Sequence, residues 1–280
     1  MMRRRGLTLA EMMITVVIVA MIGAALTRLY VAQARSYDLQ TQLRLARFVS
    51  RTGINAAISD LRMVEATGGV VSATNTSVTV RVPYAMGIVC ANTAALTTIA
   101  LLPVDSVAYA TAGFTGYAWR DSLGAYHYVE TGTTLTAGTA SLCTTAHVTV
   151  LSGGLVVAIA PALPSTLPAI TAVGTPVFLT QRLTYSFAPS VTLPGRTALW
   201  RTVIGTGETD ELVAPFAPTA EFKFFIVGSD SAQTAVPSPL TTMRGIELVF
   251  NAQSERTPQG QPAVMTAQIT TGVFFNNLLK

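Results

Sequence analysis

The fold of this chain is decided near its N-terminus, where residues 3–26 read RRRGLTLAEMMITVVIVAMIGAAL. Three arginines and a glycine precede an almost uninterrupted apolar run from Leu7 to Leu26. A helix of that length, at about 1.5 Å per residue, spans about 30 Å, which is the thickness of the hydrocarbon layer of a membrane. The run therefore predicts one transmembrane helix.

The charges around this run predict its orientation. Arg3, Arg4 and Arg5 precede it, and only Arg28 follows closely. Because positive flanks stay on the cytoplasmic side, we expect the rest of the chain on the outer side. The formal net charge is only +4, and without the three arginines the chain is close to neutral. No clustered basic face, and hence no nucleic-acid partner, is expected.

One acidic residue, Glu11, interrupts the apolar run. A charge in the bilayer costs free energy, so intramembrane acids usually have a function. Two interpretations treat the segment as ordinary. The first is a plain signal-anchor whose Glu11 reaches back to the interface. The second is a secretory signal cleaved after Ala32-Gln33-Ala34, against which Glu11, Arg28 and the length of the run all count.

A third interpretation uses the whole string. Arg3-Arg4-Arg5-Gly6, followed by Leu7-Thr8-Leu9-Ala10-Glu11 and an apolar helix, resembles the class III signal of type IV pilins and type II secretion pseudopilins. The resemblance implies cleavage between Gly6 and Leu7 by a prepilin peptidase and N-methylation of Leu7. It also implies a bacterial inner-membrane, single-pass subunit that assembles with other pilins through its helix. Its globular domain would lie in the periplasm or in an extracellular filament.

Processing at Gly6 would give Glu11 a counter-ion. Residues 7 and 11 are four apart, so they lie on one helical face, about 6 Å apart along the axis. A neighbouring helix that is shifted along the axis can set its terminal amine against this carboxylate. Opposite charges attract far more strongly in a low dielectric than in water. Glu11 is therefore predicted to set the register of assembly.

The helical pattern continues beyond the membrane-length segment. Apolar and small residues recur at steps of three or four from Leu39 to Val64, and Gly68-Gly69 offers a stop. This predicts a leader over residues 1–6 and one helix over 7–67, of which 7–27 is transmembrane. A coiled coil is disfavoured because strict heptads are not sustained.

After Gly69 the chain changes to short runs rich in Val, Thr, Ile, Phe and Tyr, separated by Gly, Pro and Ser. This texture predicts strands. The predicted fold is α+β: a long N-terminal helix packed on an antiparallel, β-rich globular domain over residues 70–280, with a β-rich insertion at about 83–170. Strands are predicted at 77–82, 98–102, 117–119, 125–130, 148–151, 156–160, 177–187, 197–203, 221–227, 245–250 and 265–274.

A weaker resemblance extends into the C-terminal part. The segments RLTYSF (182–187), LWR (199–201), FKFF (222–225) and MRGIEL (243–248) are similar to W-type minor pilins and J-type pseudopilins. In that family these are low-abundance tip or priming subunits. The resemblance implies such a role here.

The two cysteines, Cys90 and Cys143, lie on the predicted outer side of the membrane. Because that compartment is oxidising, a disulfide between them is favoured over two buried free thiols.

No residue pattern predicts catalysis or a metal site. His127 lies between two tyrosines and His147 leads a predicted strand, and neither has a nucleophile motif nearby. Glu208, Asp210 and Glu211 follow a glycine turn, where a solvated hairpin loop is favoured over a calcium site. Phosphate-loop and dinucleotide motifs are absent, so no cofactor is expected. The sequence predicts a structural subunit rather than an enzyme; the alternative is a membrane-anchored or secreted β-rich adhesin or hydrolase.

Overall fold

The computed structural model describes residues 9–109, 111–121, 124–164 and 173–275. It confirms the predicted fold class, a long N-terminal helix followed by a large antiparallel sheet. The helices are α1 (Leu9–Leu61), α2 (Pro103–Tyr109) and α3 (Ala140–Thr145). The strands are β1 (Val70–Thr74), β2 (Ser77–Asn92), β3 (Thr97–Leu101), β4 (Phe114–Arg120), β5 (Tyr126–Val129), β6 (Thr134–Ala137), β7 (Val156–Ala160), β8 (Pro176–Pro189), β9 (Thr197–Val203), β10 (Glu208–Phe216), β11 (Glu221–Ile226), β12 (Met243–Gln253) and β13 (Thr266–Phe274).

Only the C-terminal half of α1 packs on the sheet. Every residue from Leu9 to Tyr37 is exposed, and burial begins at Asp38. The buried positions recur at steps of three or four, as one face of a helix requires, and this half of the helix contacts β10, β12 and β13. They are Gln42, Ala46, Val49, Ser50, Gly53, Ile54, Ala57 and Leu61.

Helix α1 ends at Leu61, earlier than the predicted end at residue 67. The Met63 amide donates to the Asp60 carbonyl (3.0 Å) and the Val64 amide donates to the Leu61 carbonyl (3.3 Å). These three-residue spacings tighten the last turn and stop the helix. Gly68, with a φ of 77°, ends the following turn rather than the helix itself.

One continuous antiparallel sheet contains the strands. Its main path runs β11-β12-β10-β9-β8-β2-β3-β7-β6, with β1 beside β2, β13 beside β12, and β4 between β5 and β8. Strands β2 and β8 pair along almost their whole length, from Ser77 opposite Ser186 to Ile88 opposite Pro176. The sheet branches at β8, because its first half pairs with β4 and its second half pairs with β9.

The described residues form two large hydrophobic cores and a small cluster of Cys90, Ala100 and Cys143, which we call the disulfide cluster. We call the first the helix core: it lies between α1 and the sheet and is rich in phenylalanine, including Phe216, Phe222 and Phe250. We call the second the lobe core: its buried residues run from Ala85 to Leu179. Strands β2 and β8 contribute to both cores. The inserted lobe predicted at about residues 83–170 overlaps the lobe core, and its bounds stay a prediction.

The predicted strands differ from the observed ones in length, in one false strand and in three missed strands. Strand β2 continues ten residues beyond Val82, through Pro83, where a register shift against β8 accommodates the proline. The strand predicted at 148–151 is wrong, since that segment is irregular and His147, at its start, has a φ of 58° in a turn. Strands β1, β6 and β10 were not predicted at all.

Candidate assembly site

The N-terminal half of α1 is an apolar surface that nothing in the described part of the chain covers. Side chains such as Leu9 (79% exposed), Met12 (62%) and Val16 (67%) point outward in all directions. The helix is long and apolar enough to cross a membrane. An apolar surface of this kind is buried when it lies in lipid or packs against other helices.

Glu11 lies in the first turn of α1 and is exposed on this apolar surface. It is the only charged residue between Gly6 and Arg28. Thr15 and Thr27 are polar, but their hydroxyls donate to the carbonyls of Glu11 (2.7 Å) and Gly23 (2.8 Å) within the same helix. The Glu11 carboxylate is therefore the one full charge that the membrane-length segment before Arg28 brings to an assembly.

The predicted leader and cleavage residues lie outside the described residues. They are Arg3, Arg4, Arg5, Gly6 and Leu7.

The other half of α1 is held by close packing and by a buried hydroxyl. A Cβ added at Gly53 would lie 3.0 Å from the rings of Phe216 and Phe250, so a side chain at this position would have to displace these rings. The Ser50 hydroxyl lies 3.0 Å from the Phe250 carbonyl and 2.8 Å from the Ala267 carbonyl, and accepts the Ala252 amide at 3.3 Å. These contacts fix the position of α1 on the sheet, both along the helix axis and in its distance from the strands.

Two aspartates anchor the flanks of this packed half. Asp60 accepts the hydroxyl of Tyr185, a buried ring of the helix core whose phenol pKa is raised by burial and by this carboxylate. Asp38 accepts the Gln259 amide (2.8 Å) and pairs with Arg256 (2.5 Å). The Gln259 amide and Arg256 hold the Asp38 pKa below its ordinary value. Neither aspartate belongs to a motif in the sequence, and neither was predicted to have a role.

A charged cluster joins the two cores. Arg81 on β2 and Arg182 on β8 are direct partners in the strand register, and like charges in that position repel. Glu130, which follows β5, lies between them: it accepts Arg182 Nε at 2.7 Å and Arg81 Nη2 at 2.5 Å. Burial raises the Glu130 pKa, but the two arginines outweigh it and leave the pKa below its ordinary value. Glu130 therefore reduces the repulsion between the two arginines at the point where the sheet branches.

Cys90 and Cys143 form a disulfide in the structure. Both are buried, Cys90 on β2 and Cys143 on α3, and they pack with Ala100. The bond ties the short helix α3 to the edge of the lobe core, far along the chain from α1.

The other candidate residues, His127 and the three acidic residues after the glycine turn, lie on strands of the head. His127 lies on β5, 2.8 Å from Asp121 and stacked on Trp119. The loop expected at the acidic residues after the glycine turn is not observed. These residues lie on β10 instead: Glu208, Asp210 and Glu211. Asp210 pairs with Arg201 across the hairpin at 3.3 Å. Glu211 accepts the amides of Val191 and Thr192 and the hydroxyls of Ser190 and Thr192. In the described part of the chain, no group of three or more His, Cys, Asp or Glu residues is arranged to hold a metal.

These features define a class of protein: a subunit with one exposed apolar helix, long enough to cross a membrane, that is fixed to a disulfide-bonded, β-rich head. Comparison with known families narrows the class. Residues 1–27 match the model of the prokaryotic N-terminal methylation motif, which is the class III signal peptide of type IV pilins. The motif, which covers the first tenth of the chain, supports a type IV pilin-like or pseudopilin subunit. No curated protein and no solved structure matches the chain.

Proposed function

We propose that this chain is a non-catalytic minor pilin or pseudopilin, built into a type IV pilus or a type II secretion pseudopilus through α1. The observation that carries the proposal is the division of α1. The methylation motif leads into a half-helix that is exposed throughout, while the other half is buried in the globular head. One half is thus available for assembly, and the other half holds the head to it.

Prepilin peptidase cleaves after Gly6 in this proposal, and Leu7 becomes the N-methylated first residue. The new amine and Glu11 carry opposite charges four residues apart on one helix. In an assembly, the Glu11 carboxylate of one subunit meets the amine of a neighbour that is shifted by about 6 Å. Such a pair contributes more to register than to stability, because each charge is costly in lipid until it is paired.

The likeness of the C-terminal segments to W-type minor pilins and J-type pseudopilins supports a position at the filament tip or in its priming complex. The inner membrane holds the subunit before assembly, with the head on the periplasmic side. Prepilin peptidase and other pilins are its partners, and nucleic acid is not.

Mass spectrometry of the N-terminus tests the proposal. Protein purified from the membrane should begin with methylated Leu7. A chain that begins at Arg35 would support a secreted β-rich protein, and one that begins at Met1 a plain membrane anchor. A Gly6→Val variant, which blocks the cleavage site, should retain the six-residue leader and stay out of filaments.

A second experiment tests the role of Glu11. The Glu11→Leu variant should insert in the membrane as well as the wild type but fail to enter the filament. A Thr15→Leu variant, one turn further along the same helix, is the matched control and should assemble. Normal incorporation of Glu11→Leu would contradict the proposed pairing.

A further inference from the structure

Helix α1 carries a stripe of arginines on the face that also carries Glu11. Arg47 lies 36 residues after Glu11 (47 − 11), which is ten turns at 3.6 residues per turn, so the two share one face. Arg44 and Arg51 lie at i−3 and i+4 from Arg47 and extend the stripe over about 10 Å. We call Arg44, Arg47 and Arg51 the arginine stripe.

Nothing in the described part of the chain neutralises this stripe. All three arginines are exposed, and none of them makes a salt bridge with a described residue. The two aspartates of the same half-helix, Asp38 and Asp60, are held by groups of the head. The globular head covers a neighbouring face of the helix: the buried side chains centre about a quarter turn from Arg47, and Arg44 and Arg51 lie on the side of Arg47 that is farther from the head.

A second copy of this chain is a poor partner for the stripe. The register that sets a terminal amine against Glu11 of the neighbour is a shift of four residues. The same shift brings Arg47 of one copy level with Arg51 of the next. Parallel copies in that register would therefore place like charges beside each other, at a cost in free energy.

A lipid surface does not reach the stripe either. Arg47 lies 21 residues beyond Leu26 (47 − 26), which is about 30 Å along the helix axis. The headgroup region beyond the hydrocarbon layer is only about 5 to 8 Å thick on each side. An upright α1 thus carries the stripe well clear of the membrane.

We propose that the arginine stripe docks the helix of a different pilin-like subunit, which lies parallel to α1 and carries Asp or Glu at the level of residues 44–51. This inference rests on the proposed function and names the partner that the subunit takes in the filament. The charge of the stripe selects that partner over a second copy, so the chain joins a mixed assembly rather than a filament of its own.

Photo-crosslinking of the full-length chain in neutral phosphatidylcholine vesicles tests whether the charge of the stripe selects the partner helix. Gln40 lies 29 residues after Glu11 (40 − 11), close to eight turns, and is exposed on the same face. A chain with p-benzoylphenylalanine in place of Gln40 is mixed with wild type, with Arg47→Glu/Arg51→Glu, or with Arg28→Glu/Arg35→Glu. The last variant is the matched control, because it makes the same charge change more than a quarter turn away from the Glu11 face.

The Arg47→Glu/Arg51→Glu partner should give about tenfold more crosslinked dimer than the wild type, because it supplies the missing carboxylates. High salt should remove the difference. The control variant should behave as the wild type does. Equal yields from all three partners, including no product from any of them, would overturn the inference.

Crosslinking from Gln40 in the native membrane then tests the identity of the partner. The expected product joins Gln40 to a parallel helix of another pilin-like subunit that carries carboxylates at that level, and it is lost in Arg47→Glu/Arg51→Glu. A product between two copies of this chain, or with nucleic acid, would overturn the inference. If such a self-crosslinked chain still begins at methylated Leu7 and enters filaments, the proposed function stands and only the inference fails. An uncleaved leader in polymerised protein would instead remove the proposed function.

Discussion

The helix core and the lobe core share two strands but are stabilised in different ways. The helix core is covered by α1, with interlocking phenylalanine rings beneath it. Of the helices in the described residues, the short α2 and α3 lie beside the lobe core, and a disulfide fastens α3 at its edge. The assembly helix thus stabilises one part of the head, and a covalent bond stabilises the other. Each part should therefore respond to a different perturbation.

Removal of the disulfide should have the largest effect and should be confined to the lobe core. The bond closes a loop with a sequence separation of 53 residues, so its loss in Cys90→Ala/Cys143→Ala should cost about 4 kcal/mol in the chain-entropy model. Hydrogen exchange of the full chain in detergent should speed up in β3 and β7 and change little in α1. Equal acceleration in Ser50 and its neighbours would show that the two cores unfold as one.

Loss of Glu130 should be felt in both cores. Glu130→Ala leaves Arg81 and Arg182 opposed and without their carboxylate, at a cost of about 3 kcal/mol. Urea unfolding monitored by tryptophan fluorescence measures it. The Glu221→Ala variant, which removes the more exposed pair with Lys223 (3.5 Å), is the control and should cost less than about 1 kcal/mol. Similar losses in the two variants would contradict the role of Glu130 at the branch.

A side chain at Gly53 should disturb the helix core alone. Gly53→Leu forces a branched group against Phe216 and Phe250 and should cost about 2 kcal/mol. Gly23→Leu is the matched control in the same helix: a Cβ there meets no atom within 4 Å, so the stability of the head should not fall. The lobe core should keep its hydrogen-exchange protection in both variants.

Acid should weaken the ion pairs of Glu130 with Arg81 and Arg182, with a smaller loss of stability than the substitutions above cause. The pKa of Glu130 is lowered from 4.5 in the folded protein, so its ionised form contributes stability above the unfolded pKa. That contribution is lost as the pH falls through the lower, folded pKa. Urea midpoints between pH 7 and pH 3 should therefore drop more for wild type than for Glu130→Gln, in which the titrating group is absent. Parallel curves would contradict this.

The parts of the fold that depend on local patterns were predictable from the sequence. The face of α1 follows from its three- and four-residue spacing, and β9 was predicted with its observed bounds because its β-branched and aromatic residues lie between clear breaks. Strand β10 was not predicted because it begins with acidic residues after a glycine turn. Residues Val148 and Val150 look like a strand but instead pack against the disulfide cluster.

The candidate site divides in the same way. Glu11 stands out in the sequence because a single charge in an apolar run is costly in lipid and is seldom without a role. Glu130 does not, since the site it forms needs β2, β5 and β8 to come together from distant parts of the chain. Long-range pairing of that kind leaves no local signal.

The pairing register of strands β2 and β8 determines which side chains enter both cores of the head. Neighbouring side chains along a strand point to opposite sides, so a slip of one residue between these two strands would exchange inside for outside in both cores at once. Substitutions outside these two strands leave their register unchanged. An insertion or deletion within Val177–Leu183 or Val78–Val82 would shift the register of β2 against β8. A compensating substitution in one core could not restore the packing of the other core.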